Sequence, residues 1–175
     1  MKKAGRILLF TGEGKGKTTA ALGTAVRASG HGMKVLILQF IKRTKKTGEL
    51  AACAHLPGVE IKQAGKGFLP ESTNPVFPEH CRKAEEGLDL AAAALESGQY
   101  DMVVLDEICT AVSKGLLTED SVAKVLHKRH RNTHVVMTGR NATPGLINLA
   151  DTVTEMRQVK HCFLEGRGAQ KGVEY

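Results

Sequence analysis

Four short stretches of this chain are apolar at nearly every position, with no alternation of polar and apolar residues. They are Ile-Leu-Leu-Phe at 7–10, Val-Leu-Ile-Leu-Gln-Phe at 35–40, Met-Val-Val-Leu at 102–105 and Thr-His-Val-Val-Met at 133–137. A strand with one wet face alternates, so continuous runs of this length predict strands covered on both faces. Weaker strands are expected at 58–61 and 152–156. Between the runs the apolar spacing turns helical. Ala21, Ala25 and Ala28 share one face of a helix at 18–29, which stops at Gly30-His31-Gly32, where a positive φ is wanted. Ala84, Leu88, Ala91, Ala92 and Leu95 form a stripe over 81–97. Thr118 is placed to cap a helix at 119–130 whose inward face is Val122, Val125 and Leu126, and Pro144 stands in the first turn of a short helix at 144–150. Strands alternating with helices predict an α/β fold: a mostly parallel sheet, right-handed crossovers, and helices flanking both faces. Ligands of such sheets sit beyond the C-terminal ends of the strands.

Composition narrows this only a little. The 175 residues suit one domain, and 42% hydrophobic with 4% aromatic residues fits a core of Val, Ile, Leu and Ala. No apolar run approaches the ~18 residues of a membrane span. The stretch after Met1-Lys2-Lys3 is too short for a signal sequence. Cys53, Cys81, Cys109 and Cys162 are scattered without a Cys-x-x-Cys pair, so neither zinc nor a disulfide framework is indicated. These features point to the cytoplasm. A net charge of +7 calls for anionic partners, and Lys42-Arg43-Thr44-Lys45-Lys46 is a compact basic run that reads equally as a solvated loop. Few aromatics and no helix-turn-helix or RNA-binding signature argue against nucleic acid.

The chemistry concentrates behind the first strand, in Thr11-Gly12-Glu13-Gly14-Lys15-Gly16-Lys17-Thr18-Thr19. Glycines let consecutive N–H groups point into one hollow, and the helix that follows adds its positive dipole end. Lys17 offers an ammonium to terminal phosphates and Thr18 a hydroxyl to Mg²⁺. This is a polyphosphate cradle with one departure: Thr11 stands where the first glycine of the usual loop would be, and Gly12 comes one position late.

A second element is the apolar run that ends in Asp106-Glu107. On the same sheet edge as Thr18, these carboxylates are placed to hold Mg²⁺, and spacing does not say which of the two touches it. Arg140, in Thr138-Gly139-Arg140, emerges at a third strand end, either as a phosphate contact or as a surface arginine. Arg27 reads as an exposed helix former. The stretch at 63–78, rich in Gly, Pro, Ser, Thr and Asn with Phe68 and Phe77 embedded, is too long for an idle connector and reads as a functional loop.

Taken together these motifs resemble the P-loop corrinoid adenosyltransferases of the cobalamin pathway. The shifted first loop, Arg27…Gly30-His31-Gly32, Gln39-Phe40-Ile41-Lys42, Val104-Leu105-Asp106-Glu107, Thr138-Gly139-Arg140 and Leu149-Ala150-Asp151-Thr152-Val153-Thr154-Glu155 all match. So does the tail from Val159-Lys160-His161 to Gly172-Val173-Glu174-Tyr175. The likeness runs from about Arg6 to Tyr175. It implies a RecA-type P-loop fold, one nucleotide-binding domain over 1–175, a homodimer, and transfer of the 5′-deoxyadenosyl group of ATP to the Co(I) of cobalamin, cobinamide or a related corrinoid, with release of triphosphate. Carried over by position, Thr11, Gly12, Glu13, Gly14, Lys15, Gly16, Lys17, Thr18 and Thr19, with Arg27 and Arg140, would bind ATP. Thr18 and Glu107, with Asp106 behind, would hold Mg²⁺, and the loop at 63–78 would face the corrinoid. Phe68 would lie against the corrin and, with Lys17, Thr18 and Glu107, belong to the catalytic set. Pro70 stands where the family commonly has Trp, and the family's N-terminal lid has no counterpart in the five residues before the first strand. The resemblance also implies an electron donor such as a reduced flavoprotein. From the residues alone, a P-loop ATPase or kinase cleaving the γ-phosphate, or a non-catalytic nucleotide sensor, stays open.

Overall fold

The computed structural model of the chain describes residues 4–43, 47–162 and 166–174. Its centre is a six-stranded sheet built from β1 (Ile7–Thr11), β2 (Val35–Gln39), β3 (Val59–Gln63), β4 (Met102–Asp106), β5 (His134–Thr138) and β6 (Thr152–Glu155). The order across the sheet is β3-β2-β4-β5-β1-β6, and every pairing is parallel. The helices among the described residues are α1 (Lys17–Gly30), α2 (Gly48–Cys53), α3 (Phe77–Ser97), α4 (Ile108–Ser113), α5 (Glu119–His127) and α6 (Pro144–Leu149).

The unbroken apolar runs follow from burial on both sides. Successive side chains of a strand point to opposite faces, and the core divides accordingly. Leu9, Leu36, Leu38, Val103, Leu105, Val135 and Met137 face a cluster completed by α3, α4, α5 and α6. Val35, Ile37, Met102, Val104 and Val136 face a second cluster completed by Ala21, Ala25 and Ala28 of α1 and Cys53 of α2. The alanine stripe is thus the contact surface of α1, and side chains that small let the helix lie close on the sheet.

Two helices lie where the sequence pattern shows none. Each has six residues, too few for a helical period to stand out. The α4 sequence, Ile-Cys-Thr-Ala-Val-Ser, also follows the apolar run of β4 with only Asp106 and Glu107 between the two. Helix α3 starts at Phe77, four residues before its apolar stripe begins, with Pro78 in its first turn. Thr118 does cap α5: its hydroxyl oxygen accepts from Ser121 N–H at 3.1 Å. Thr118→Ala is expected to lower unfolding free energy by about 1 kcal/mol in a urea titration, and Thr118→Ser to restore it.

Strand order positions the site. β5 lies between β1 and β4, so the loop after β1 and the acidic end of β4 flank the end of β5 on one sheet edge. Among the described residues, no helix is long and apolar enough to cross a membrane.

Candidate active site

The late glycine has a structural reason. Thr11 is still strand: it pairs with Glu155 of β6, and its carbonyl accepts from Met156 N–H at 2.8 Å. The turn therefore falls at Gly12, which has φ 93°, and a Cβ there would meet the Met156 carbonyl oxygen at 2.5 Å. Gly16, at φ 114°, precedes α1 and offers no side-chain cap, which leaves the first amides of the helix to a ligand. One loop amide is already engaged, since Gly14 N–H donates to Met156 O at 2.6 Å.

Lys17 curls back beneath this loop. Only 7% exposed, it donates to the carbonyls of Gly12 and Gly14, each at 2.7 Å. Burial pulls its pKa below the usual lysine value; Glu107 works against that, Arg140 adds to it, and Glu13 opposes it again. Thr18, the next residue, donates its hydroxyl to Asp106 Oδ1 at 2.8 Å. Asp106 is 1% exposed and gathers three hydrogen-bond donors and one ion pair. Its Oδ1 also accepts from Thr138 Oγ1 at 2.8 Å, while Oδ2 accepts from Gln39 Nε2 at 3.2 Å and lies 3.7 Å from Lys42 Nζ. Thr138 reaches Asp106 because β5 brings it beside β4.

Glu107 is turned differently. It sits at φ 65°, a left-handed backbone, as the residue that opens α4. Its N–H donates to Thr138 Oγ1 at 2.9 Å and its carboxylate accepts from the Thr110 hydroxyl. The Thr110 oxygen in turn accepts from Arg140 N–H at 2.9 Å. Arg140 places its guanidinium 3.4 Å from the Glu13 carboxylate. Lys15 is held by the C-terminal tail, donating to Val173 O at 2.8 Å with Glu174 Oε1 3.6 Å away.

These groups open on a cleft of about 780 Å³. Residues 13–19, Glu107 and Arg140 form its polar end; Ile41, Phe68 and Leu69 add an apolar wall; residues 172–174 form a further side. Phe68 is 94% exposed, whereas Leu69 beside it packs against the core. The loop that carries Phe68 is pinned at its start, where Ala64 N–H donates to Gln39 O at 2.9 Å and Gly67 N–H to Ile41 O at 2.9 Å. The expected site residues therefore converge around this cleft, although Thr11, Gly12, Arg27 and Asp106 are not part of its lining. Thr11 stands behind the loop, its Oγ1 accepting from Ala142 N–H at 3.3 Å. Arg27 lies exposed in the last turn of α1, outside the lining of the cleft and about 15 Å along the helix from Lys17.

Sequence reasoning singled out neither Glu49, Lys114 nor His161, all of which line the cleft. Nor did it give a role to Lys42, which belongs both to the Gln-Phe-Ile-Lys motif and to the basic run. Lys42 turns inward, 3.1 Å from Glu49 Oε1. Thr44, Lys45 and Lys46, the rest of that run after Arg43, fall outside the described residues, as does Tyr175 of the tail motif. Burial works to raise the pKa of Glu49, but its own amide and the Lys42 ammonium hold it below the usual carboxylate value.

The donor set suits a magnesium ion that travels with a polyphosphate. Thr18, Asp106 and Glu107 present only hard oxygen atoms, and among the described residues no cluster of three or more His, Cys, Asp or Glu forms an all-protein cage. Mg²⁺ is ordinarily held in this way, by one or two side chains with phosphate and water completing its shell.

Fold and site together define a P-loop α/β protein. A solved structure with the same fold is the flagellar accessory protein FlaH of Methanocaldococcus jannaschii, with a TM-score of 0.56 at 10% identity, covering 87% of this chain and 71% of that one. The model of the ATP:corrinoid adenosyltransferase BtuR/CobO/CobP family matches residues 3–175, and the chain belongs to that family. Curated relatives include the corrinoid adenosyltransferase of Pseudomonas aeruginosa, 44% identical over 98% of this chain and 84% of that protein. The corrinoid adenosyltransferase of Escherichia coli K12 is 41% identical over 98% and 86%. That of Salmonella typhimurium is 40% identical over 99% and 87%.

Proposed function

We propose that this chain transfers the 5′-deoxyadenosyl group of ATP to the Co(I) of a corrinoid and releases intact triphosphate. The observation that carries this reading is a single cleft with a phosphate-binding loop at one end and an exposed aromatic side chain at its apolar wall. A nucleotide held by its phosphates and a flat, largely apolar macrocycle would meet there. Membership of the adenosyltransferase family over nearly the whole chain supports it.

The protein need not supply a nucleophile. Co(I) of the corrinoid substrate attacks C5′; the Co–C bond forms, the C5′–O bond breaks, and its electron pair leaves with the triphosphate. What falls to this chain is aim and charge. The loop amides and Lys17 grip the triphosphate, Arg140 exchanges Glu13 for a phosphate oxygen, and Phe68 lies against the corrin. Orientation and charge stabilisation of this kind contribute on the order of 7–11 kcal/mol to such a step. Mg²⁺ would be held by Thr18, Asp106 and Glu107 and would supply neutralising charge to the leaving group.

Incubation with ATP, a reductant and cobalamin should yield one triphosphate per alkylated cobalt. Release of orthophosphate with cobalt unalkylated defeats the proposal and favours γ-phosphate cleavage. Phe68 offers a second check. A ring at the lower axial side of cobalt would exclude water or a base ligand and ease reduction of Co(II). Phe68→Ala should therefore slow adenosylation from Co(II) more than from pre-reduced Co(I); equal slowing removes that role. Because the side chain is 94% exposed, its removal should leave thermal stability unchanged. The reductant is proposed to be an external donor such as a reduced flavoprotein, and the active form a cytoplasmic homodimer.

A further inference from the structure

Asp106 is buried, its Oδ1 is occupied by two threonine hydroxyls, and Oδ2 receives Gln39. Gln39 is itself held, its Oε1 accepting from Gln63 Nε2 at 3.1 Å. The nearest full positive charge is Lys42 Nζ, 3.7 Å from Oδ2. That ammonium has a second carboxylate at 3.1 Å, Glu49 at the start of α2, and both residues line the cleft. One cation is thus shared between the acid that faces Thr18 and an acid that does not. A buried carboxylate without a counter-charge is costly, so such a cation stabilises the chain when no metal is bound. The same cation opposes a metal approaching Asp106, since like charges a few ångströms apart repel.

We propose that Lys42 is a positioning residue for the metal: it holds the charge of Asp106 until Mg²⁺ arrives with the nucleotide, and Glu49 then receives it. Free divalent metal meets a carboxylate that is already neutralised and binds poorly. Metal carried by triphosphate brings its own negative charge, and the short shift of Lys42 toward Glu49 clears Oδ2. The cleft is in this way kept from filling with metal before ATP is present. The inference rests on the placement of the metal at Thr18 and Asp106 proposed above.

Binding of Mn²⁺, read from the free-ion paramagnetic resonance signal of nucleotide-free protein, tests it without reference to turnover. Lys42→Met should bind Mn²⁺ at least tenfold more tightly than the unaltered chain. It should also melt lower in EDTA and regain more of its Tm on addition of Mg²⁺. Lys42→Gln keeps an N–H donor for both carboxylates and removes only the charge, so it reads the same quantity if the methionine variant does not fold. Glu49→Gln should weaken Mn²⁺ binding, because Lys42 then rests wholly on Asp106. The double variant Lys42→Gln, Glu49→Gln should bind as tightly as Lys42→Gln alone. Unchanged or weaker binding by both Lys42 variants overturns the proposal, and so does a double variant that loses the gain, which would make Glu49 itself a metal ligand. Asp106→Asn separates the two layers of argument. If it leaves binding of Mn²⁺–ATP intact, the metal placement fails. If it abolishes that binding while Lys42→Gln gains nothing, only the role of Lys42 fails.

Discussion

Lys17→Ala is expected to lower adenosyl transfer by about 10³-fold while the chain stays folded. Loss of a single preorganised charge facing a developing anion typically costs 10²–10³ in rate, and the neighbouring Lys15 is not poised to replace Lys17, because it is engaged with Val173 and Glu174. Of the two carbonyls that Lys17 now satisfies, that of Gly14 belongs to a residue lining the open cleft, where water can replace the ammonium. Lys17→Arg should fare no better, since a planar, delocalised guanidinium does not reproduce a compact ammonium that bonds two carbonyls. Steady-state kinetics beside a thermal melt reads both halves of the expectation. A melt that collapses with the activity would show that the lysine builds the loop rather than serves a ligand. Burial holds its pKa below 10.5, and a bound triphosphate would raise it again. Between the lowered value and 10.5, ATP binding should therefore take up protons, measurable as a buffer-dependent heat in calorimetry.

Asp106→Ala is expected to strike stability and activity together. It would leave the buried Thr138 hydroxyl, the Gln39 amide and the Lys42 ammonium facing a hole. Breaking a buried, charged arrangement from one side typically costs 3–5 kcal/mol, which for a chain of this size is a fall in Tm on the order of 10 °C. Asp106→Asn keeps the shape, lets its oxygen accept from Gln39 and turns its amide toward hydroxyls that can accept. Its stability loss should be nearer 1–2 kcal/mol, with metal-dependent activity still lost. Equal stability losses in urea titrations of the two variants would contradict the separate contributions of charge and packing.

How much of this could be read in the sequence depended on how local the cause was. The central strands were legible because burial on both faces removes polar residues from all but their ends. Helix α1 was legible because its alanine stripe has the period of its backbone. The ends of β4 and β5 were legible because polar residues break an apolar run at one position. What stayed hidden was set by distant parts of the chain. Lys15 is occupied by a tail 158 residues away. Helix α4 hides because its first residues are as apolar as the strand before it; only the turn at Glu107 separates them. Arg27, by contrast, was visible as part of a motif, and the fold sets it away from the cleft.

That turn carries a consequence of its own. Folding alone would place glycine at position 107, because a side-chained residue in a left-handed backbone costs about 1 kcal/mol. The hydroxyl of Thr110 returns some of this by bonding the carboxylate. If Glu107 serves the metal as proposed, a sequence optimised for endurance would drift to glycine here and gain ruggedness at the expense of activity: a trade of robustness for work, written into one dihedral angle.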